Sequence, residues 1–116
     1  MEFTKESVEH LKANDPAALT AILNNGIAAK DALFILQNLG HLPENFDGDV
    51  FMKFVSHKTD QVRFWAVKNL GKLCQIKYAE WLYVKAKMDS SSTVRREAVS
   101  ALGRFLVLPT IEIVWV

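Results

Sequence analysis

The chain is predicted to be all-α, built from stacked helical hairpins, and three observations predict it. A nine-residue phrase occurs three times: Phe34-Ile35-Leu36-Gln37-Asn38-Leu39-Gly40-His41-Leu42, Trp65-Ala66-Val67-Lys68-Asn69-Leu70-Gly71-Lys72-Leu73, and Glu97-Ala98-Val99-Ser100-Ala101-Leu102-Gly103-Arg104-Phe105. Its Leu-Gly pair recurs after 31 and then 32 residues. A fixed period of this size marks a stacked repeat, because so small a unit cannot bury its apolar face without neighbours. Thirdly, apolar residues recur at helical spacing, and no convincing strand interrupts them in the interior of the chain. Such an architecture offers a surface for binding rather than a pocket for chemistry.

The helices follow one another with short breaks. A first, about residues 4–13, carries Val8 and Leu11 and stops at Asn14-Asp15-Pro16, where Asp15 caps a second helix (16–24) with Pro16 in its first turn. Asn24-Asn25-Gly26 ends the second; a third covers about 28–41 and is broken by Pro43 and the polar stretch 44–48. Val50, Phe51, Phe54 and Val55 give a fourth helix (49–56), and Thr59 or Asp60 caps a fifth (60–73). The sixth (78–88) places Ala79, Leu82, Tyr83 and Ala86 on one apolar stripe, and Ser92 or Thr93 caps a seventh (93–106). Each copy of the phrase thus falls on the second helix of a hairpin. Val62, Ala66, Leu70 and Leu73 share one sector of a helix projection, as do Val94, Ala98, Leu102 and Phe105, so each set is expected in the core.

These residues resemble the HEAT repeats, in particular their short bacterial and archaeal forms. The resemblance rests on Asp60-Gln61-Val62-Arg63-Phe64-Trp65-Ala66-Val67-Lys68-Asn69-Leu70-Gly71 and on Thr93-Val94-Arg95-Arg96-Glu97-Ala98-Val99-Ser100-Ala101-Leu102-Gly103. In both, a polar turn precedes Val-Arg, with Ala four residues after the Val and then Leu-Gly; in the first repeat Asp31-Ala32 replaces Val-Arg. The resemblance covers about residues 16–106 and implies a right-handed α-solenoid of about three HEAT-like hairpins, with residues 4–13 as a leading half-repeat. It also implies that Arg63 and Arg95 act as staples to an acid in a turn, for which Asp60 and Asp89 are available.

Opposite the core stripe of the second helices lie Lys30, Leu33, Gln37 and His41 in the first repeat, Gln61, Phe64, Lys68 and Lys72 in the second, and Thr93, Arg96, Ser100 and Arg104 in the third. Side-by-side stacking of second helices, as in this family, would join them into one face. The positions read as partner-binding are Leu33, Gln37, His41, Phe64, Lys68, Lys72, Arg96, Ser100 and Arg104. Phe64 either anchors a partner's apolar group, stacks on a base, or covers a neighbouring element. Trp65 borders the core and is expected to pack between helices. Charge along the chain is asymmetric: residues 1–56 hold four lysines against eight carboxylates, whereas residues 57–105 hold ten Lys or Arg against four. That separation either marks an electrostatically polar binding surface or merely solvates exposed helix faces.

Composition narrows the classes of function. Half of the 116 residues are apolar and 23% are charged, as in an ordinary globular domain. Cys74 is the only cysteine, so an internal disulfide is excluded and a reducing, cytoplasmic setting is expected. No apolar run approaches the roughly 18 residues of a membrane span. His10, His41 and His57 fall on different elements, and neither a metal-spaced cluster, a Gly-rich phosphate loop nor a Gly-x-Ser-x-Gly elbow is present, so no metal, cofactor or catalytic residue is assigned. Residues 1–107 read as the repeat domain. Residues 108–116, with Thr110-Ile111-Glu112-Ile113-Val114-Trp115-Val116, have strand chemistry and are expected either to cap the last hairpin or to begin a further domain. The leading reading is a non-catalytic module that holds a protein partner, or another domain of the same protein, on the face of the second helices. The alternative is nucleic-acid binding through Lys68, Lys72, Arg96 and Arg104, for which a pI near 7.9 is low.

Overall fold

The computed structural model describes residues 3–105; the strand-like reading of residues 108–116 lies outside the described residues. The described residues are all-helical, with seven α-helices and no strand. α1 spans Lys5–Asn14 and is closed by a reciprocal cap: the Ser7 amide donates to Thr4 Oγ1 at 3.0 Å and the Thr4 amide to Ser7 Oγ at 2.9 Å. Asp15 ends α1 and starts α2 (Pro16–Asn24), accepting the Ala18 amide at 3.2 Å ahead of Pro16 at the first helical position.

α3 (Ala29–Gln37) is shorter than the expected 28–41. The Asn38 side-chain amide bonds back to the Phe34 carbonyl at 2.8 Å, and Gly40 takes a left-handed φ of 60°, so the chain leaves the helix four residues early. The expected fourth helix is also reduced, to the single turn α4 (Asp49–Met52). Phe51, Phe54 and His57 bond to the carbonyls three residues back, the tight spacing that disfavours long runs. Phe51, Phe54 and Val55 are nevertheless buried, because core packing rather than helix length holds this segment.

α5 (Asp60–Leu73) is the central helix, buried on Val62, Ala66, Val67, Asn69, Leu70, Gly71 and Leu73, and it packs against both α3 and α7. A 3-10 turn (Ile76–Tyr78) leads into α6 (Ala79–Met88), which pairs with α7 (Ser92–Phe105). Ser91, rather than Ser92 or Thr93, caps α7: its Oγ accepts the Val94 amide at 3.5 Å, while Asp89 Oδ1 accepts the Ser91 amide at 2.8 Å. α3, which holds the start of the first copy of the phrase, and α5 and α7, which hold the other two, therefore lie side by side; α4 packs on α5 and contacts α2. The described residues span 49 × 30 × 19 Å.

Two core assignments differ from the sequence reading. On α6, Leu82 is fully buried, but Tyr83 is exposed. Lys85, 16% exposed, reaches Asp89 at 3.2 Å, so the inward side of α6 runs through Leu82 and Lys85, and at about 100° per residue Tyr83 points away from it. On α7, Ala101 is fully buried and Leu102 only half so. The reason lies on α5: a Cβ on Gly71 would stand 2.8 Å from the Ala101 Cβ, so the two helices meet at this pair of small residues. The three repeated glycines consequently differ. Gly40 turns the chain, Gly71 admits α7, and Gly103 has no atom within 4 Å of where a side chain would begin.

Candidate functional site

The layer α3–α5–α7 positions the candidate face. At its beginning, Leu33, Phe34 and Gln37 of α3, with Phe3, Lys30 and Asp31, line an open groove of about 650 Å³. Gln37 is shared with a second groove of about 330 Å³, completed by Asp60, Gln61, Phe64 and Trp65 of α5 and by Ser91 and Thr93. The exposed Gln37 thus borders both grooves, which lie on neighbouring helices of the layer and mix apolar with polar side chains.

Phe64 and Trp65 supply the aromatic lining of the second groove. Their rings meet edge to face, 5.5 Å apart and inclined at 84°, and both are half-buried against the core. Lys68 lies over both rings, 5.9 Å from Phe64 and 5.7 Å from Trp65, with its ammonium 3.8 Å from the Glu97 carboxylate. Its charge is therefore partly matched within the molecule. Arg96 and Ser100 are exposed on α7 and line neither groove.

His41, Lys72 and Arg104 come together elsewhere, around a third depression of about 500 Å³ at the opposite ends of the same helices, with Gly40 and Leu42. Lys12 of α1, which has no counterpart in the repeats, joins them: its ammonium donates to the Leu39 carbonyl at 2.7 Å and the His41 carbonyl at 2.8 Å, while Lys72 donates to Gly40 at 3.0 Å. These two lysines collar the segment left without helical partners when α3 stops at Gln37. Burial, followed by the nearby charges of Lys68, Lys12 and Arg104, holds the Lys72 ammonium below the ordinary lysine range.

The turn between α6 and α7 carries the strongest polar cluster, and it is structural. Asp89, with a side chain 2% exposed, accepts from Arg63 Nε at 3.1 Å and Arg63 Nη2 at 3.2 Å, and from Lys85. Arg63 also donates to the His57 carbonyl at 2.8 Å, and Arg95 to the Asp89 carbonyl at 2.6 Å. Both arginines thus join turns to helices inside the molecule. Asn69, unforeseen in the sequence, is fully buried and donates to the carbonyls of Leu36 at 3.0 Å and Trp65 at 2.9 Å, tying α5 to the end of α3. Burial raises the Cys74 thiol above its ordinary value, with the Arg104 charge acting the other way, so this sulfur is not activated as a thiolate.

Among the described residues, no three His, Cys, Asp or Glu side chains gather as a metal site would require, and no helix is long and apolar enough to cross a membrane. No family model, no curated protein and no solved structure matches the chain.

Proposed function

We propose that this protein is a non-catalytic interaction module: a short right-handed solenoid of about three HEAT-like hairpins whose second helices hold a segment of a protein partner, in a cytoplasmic setting. The carrying observation is the pair of neighbouring grooves that share Gln37, in which Leu33, Phe34, Phe64 and Trp65 offer apolar surface among polar side chains. Half-buried aromatic rings held by their neighbours suit a binding hot spot, because little side-chain freedom remains to be lost when a partner lands on them.

The test is to select peptides from a random library against the folded protein and map each binder by amide shift changes in NMR spectra. Binding is expected to perturb residues 30–37 and 60–65 and to weaken at least tenfold in Leu33→Glu and Phe64→Ala. Selected peptides that map to α6, or that bind both variants unchanged, would refute the assignment. A second reading, nucleic-acid binding, is favoured by the cations Lys12, Lys72 and Arg104 around one depression. It requires duplex DNA binding that falls steeply with salt and is lost in Lys72→Glu/Arg104→Glu; no binding at low salt would sink it.

A further inference from the structure

The basic depression at the far end of the face has no internal explanation for all of its charge. Lys12 and Lys72 each satisfy backbone carbonyls, but Arg104 does not. Its guanidinium lies against Gly71, 2.9 Å from where a Cβ would stand, and its Nη1 is buried with no hydrogen-bond partner among the described residues. None of Lys12, Lys72 and Arg104 forms an ion pair among the described residues, although Lys68, Lys77, Lys85 and Arg63 all do. A buried guanidinium donor without an acceptor is costly, and cations gathered without a counter-charge repel one another.

We infer that this depression is an oxyanion site, in which Arg104, Lys72 and the exposed His41 hold a phosphate-class group. Its lining supports the chemistry: a rigid fork from α7, an ammonium from α5 and a ring from the segment after α3 approach from three elements, with Gly40 leaving one wall without a side chain. A tetrahedral oxyanion presents acceptors in several directions and suits such convergence, whereas a planar carboxylate is met best by a single fork. Burial first, and then the charges of Lys68, Lys12 and Arg104, hold the Lys72 ammonium below the ordinary lysine range; a bound anion would offset the charge contribution. The site stands on these side chains alone and is independent of the peptide groove around Gln37.

Inorganic phosphate is the probe. Thermal unfolding followed by circular dichroism is measured in phosphate, acetate and chloride at equal ionic strength and pH. At a phosphate concentration ten times the dissociation constant, the midpoint should rise by about 4–8 °C above that in chloride. The rise should vanish in Arg104→Gln and in His41→Asp, the latter an exposed substitution that places a carboxylate in the depression without disturbing packing. It should persist in Arg96→Gln, outside the depression. Saturable amide shifts at Gly40, His41 and Lys72 would locate the anion. Equal midpoints in phosphate and chloride, an equal effect of acetate, or a phosphate effect that survives His41→Asp would overturn the proposal.

Discussion

Removing the Asp89 carboxylate is expected to be among the most damaging single changes to this fold. In Asp89→Ala, the Arg63 guanidinium loses both of its bonds to the carboxylate, Lys85 loses its partner, and the Ser91 amide loses its acceptor at the start of α7. The side chains left behind are only 11% and 16% exposed, for Arg63 and Lys85 respectively. Breaking a buried pair by deleting one partner costs about 3–5 kcal/mol. The carbonyls of His57 and Lys58 still accept from Arg63, which places the loss at the lower end, about 3 kcal/mol. In a domain of 116 residues that lowers the melting midpoint by about 12 °C. The assay is urea unfolding followed by circular dichroism, with an unchanged dependence on denaturant confirming that folding remains two-state. A loss under about 1 kcal/mol, the range of an exposed pair, would refute the reasoning.

The same cluster predicts a pH dependence. Burial alone would raise the Asp89 carboxyl; the Ser91 amide, the Arg63 guanidinium and the Lys85 ammonium outweigh it and hold the group below the ordinary aspartate value. Its folded pKa is therefore depressed, so its contribution is complete above the aspartate pKa of the unfolded chain and disappears as pH falls through the lower folded value. Asp89→Asn lacks this component. The stability gap between the two proteins should accordingly narrow on acidification; a gap that widens would contradict the sign.

Three further outcomes follow from the packing. Gly71→Ala should destabilise by about 1–3 kcal/mol, because its Cβ would meet Ala101, whereas Gly103→Ala should stabilise by about 0.5–1 kcal/mol, since its surroundings are open; urea midpoints of opposite sign are the check. Asn69→Ala leaves the Leu36 carbonyl at the end of α3 unpaired and should cost about 2–3 kcal/mol, measured in the same way. In Tyr78→Phe, Asp49 loses the hydroxyl that does most to hold its carboxyl below the ordinary range, so an NMR titration should find its pKa shifted upwards.

Much of the helix order was legible because helix starts are local. Asp15 with Pro16 at the start of α2, and the polar break before α5, act within three or four residues of themselves, so composition alone reveals them. The candidate face was legible in part for the same reason: periodicity separates Leu33, Gln37 and Phe64 from the stripe Val62-Ala66-Leu70. Periodicity could not show that Lys68 would fold over Phe64 and Trp65 towards Glu97, nor that Arg104 would join His41 and Lys72, since those arrangements depend on which helices touch. Lys12 was missed altogether. It lies on α1, outside the repeated phrase, and only the fold carries its ammonium to the segment after α3.

What the sequence determined by itself was the number and order of the helices, most of their starts, and the apolar stripes that must be buried, because capping and the 3.6-residue period are properties of neighbouring residues. Tertiary structure alone decided where α3 and α4 stop, why Gly40, Gly71 and Gly103 serve different ends, and which of Ala101 and Leu102 enters the core. Those outcomes turn on how closely one helix approaches another and on which carbonyls are left to be satisfied, and neither quantity is written in the spacing of a single strand of residues.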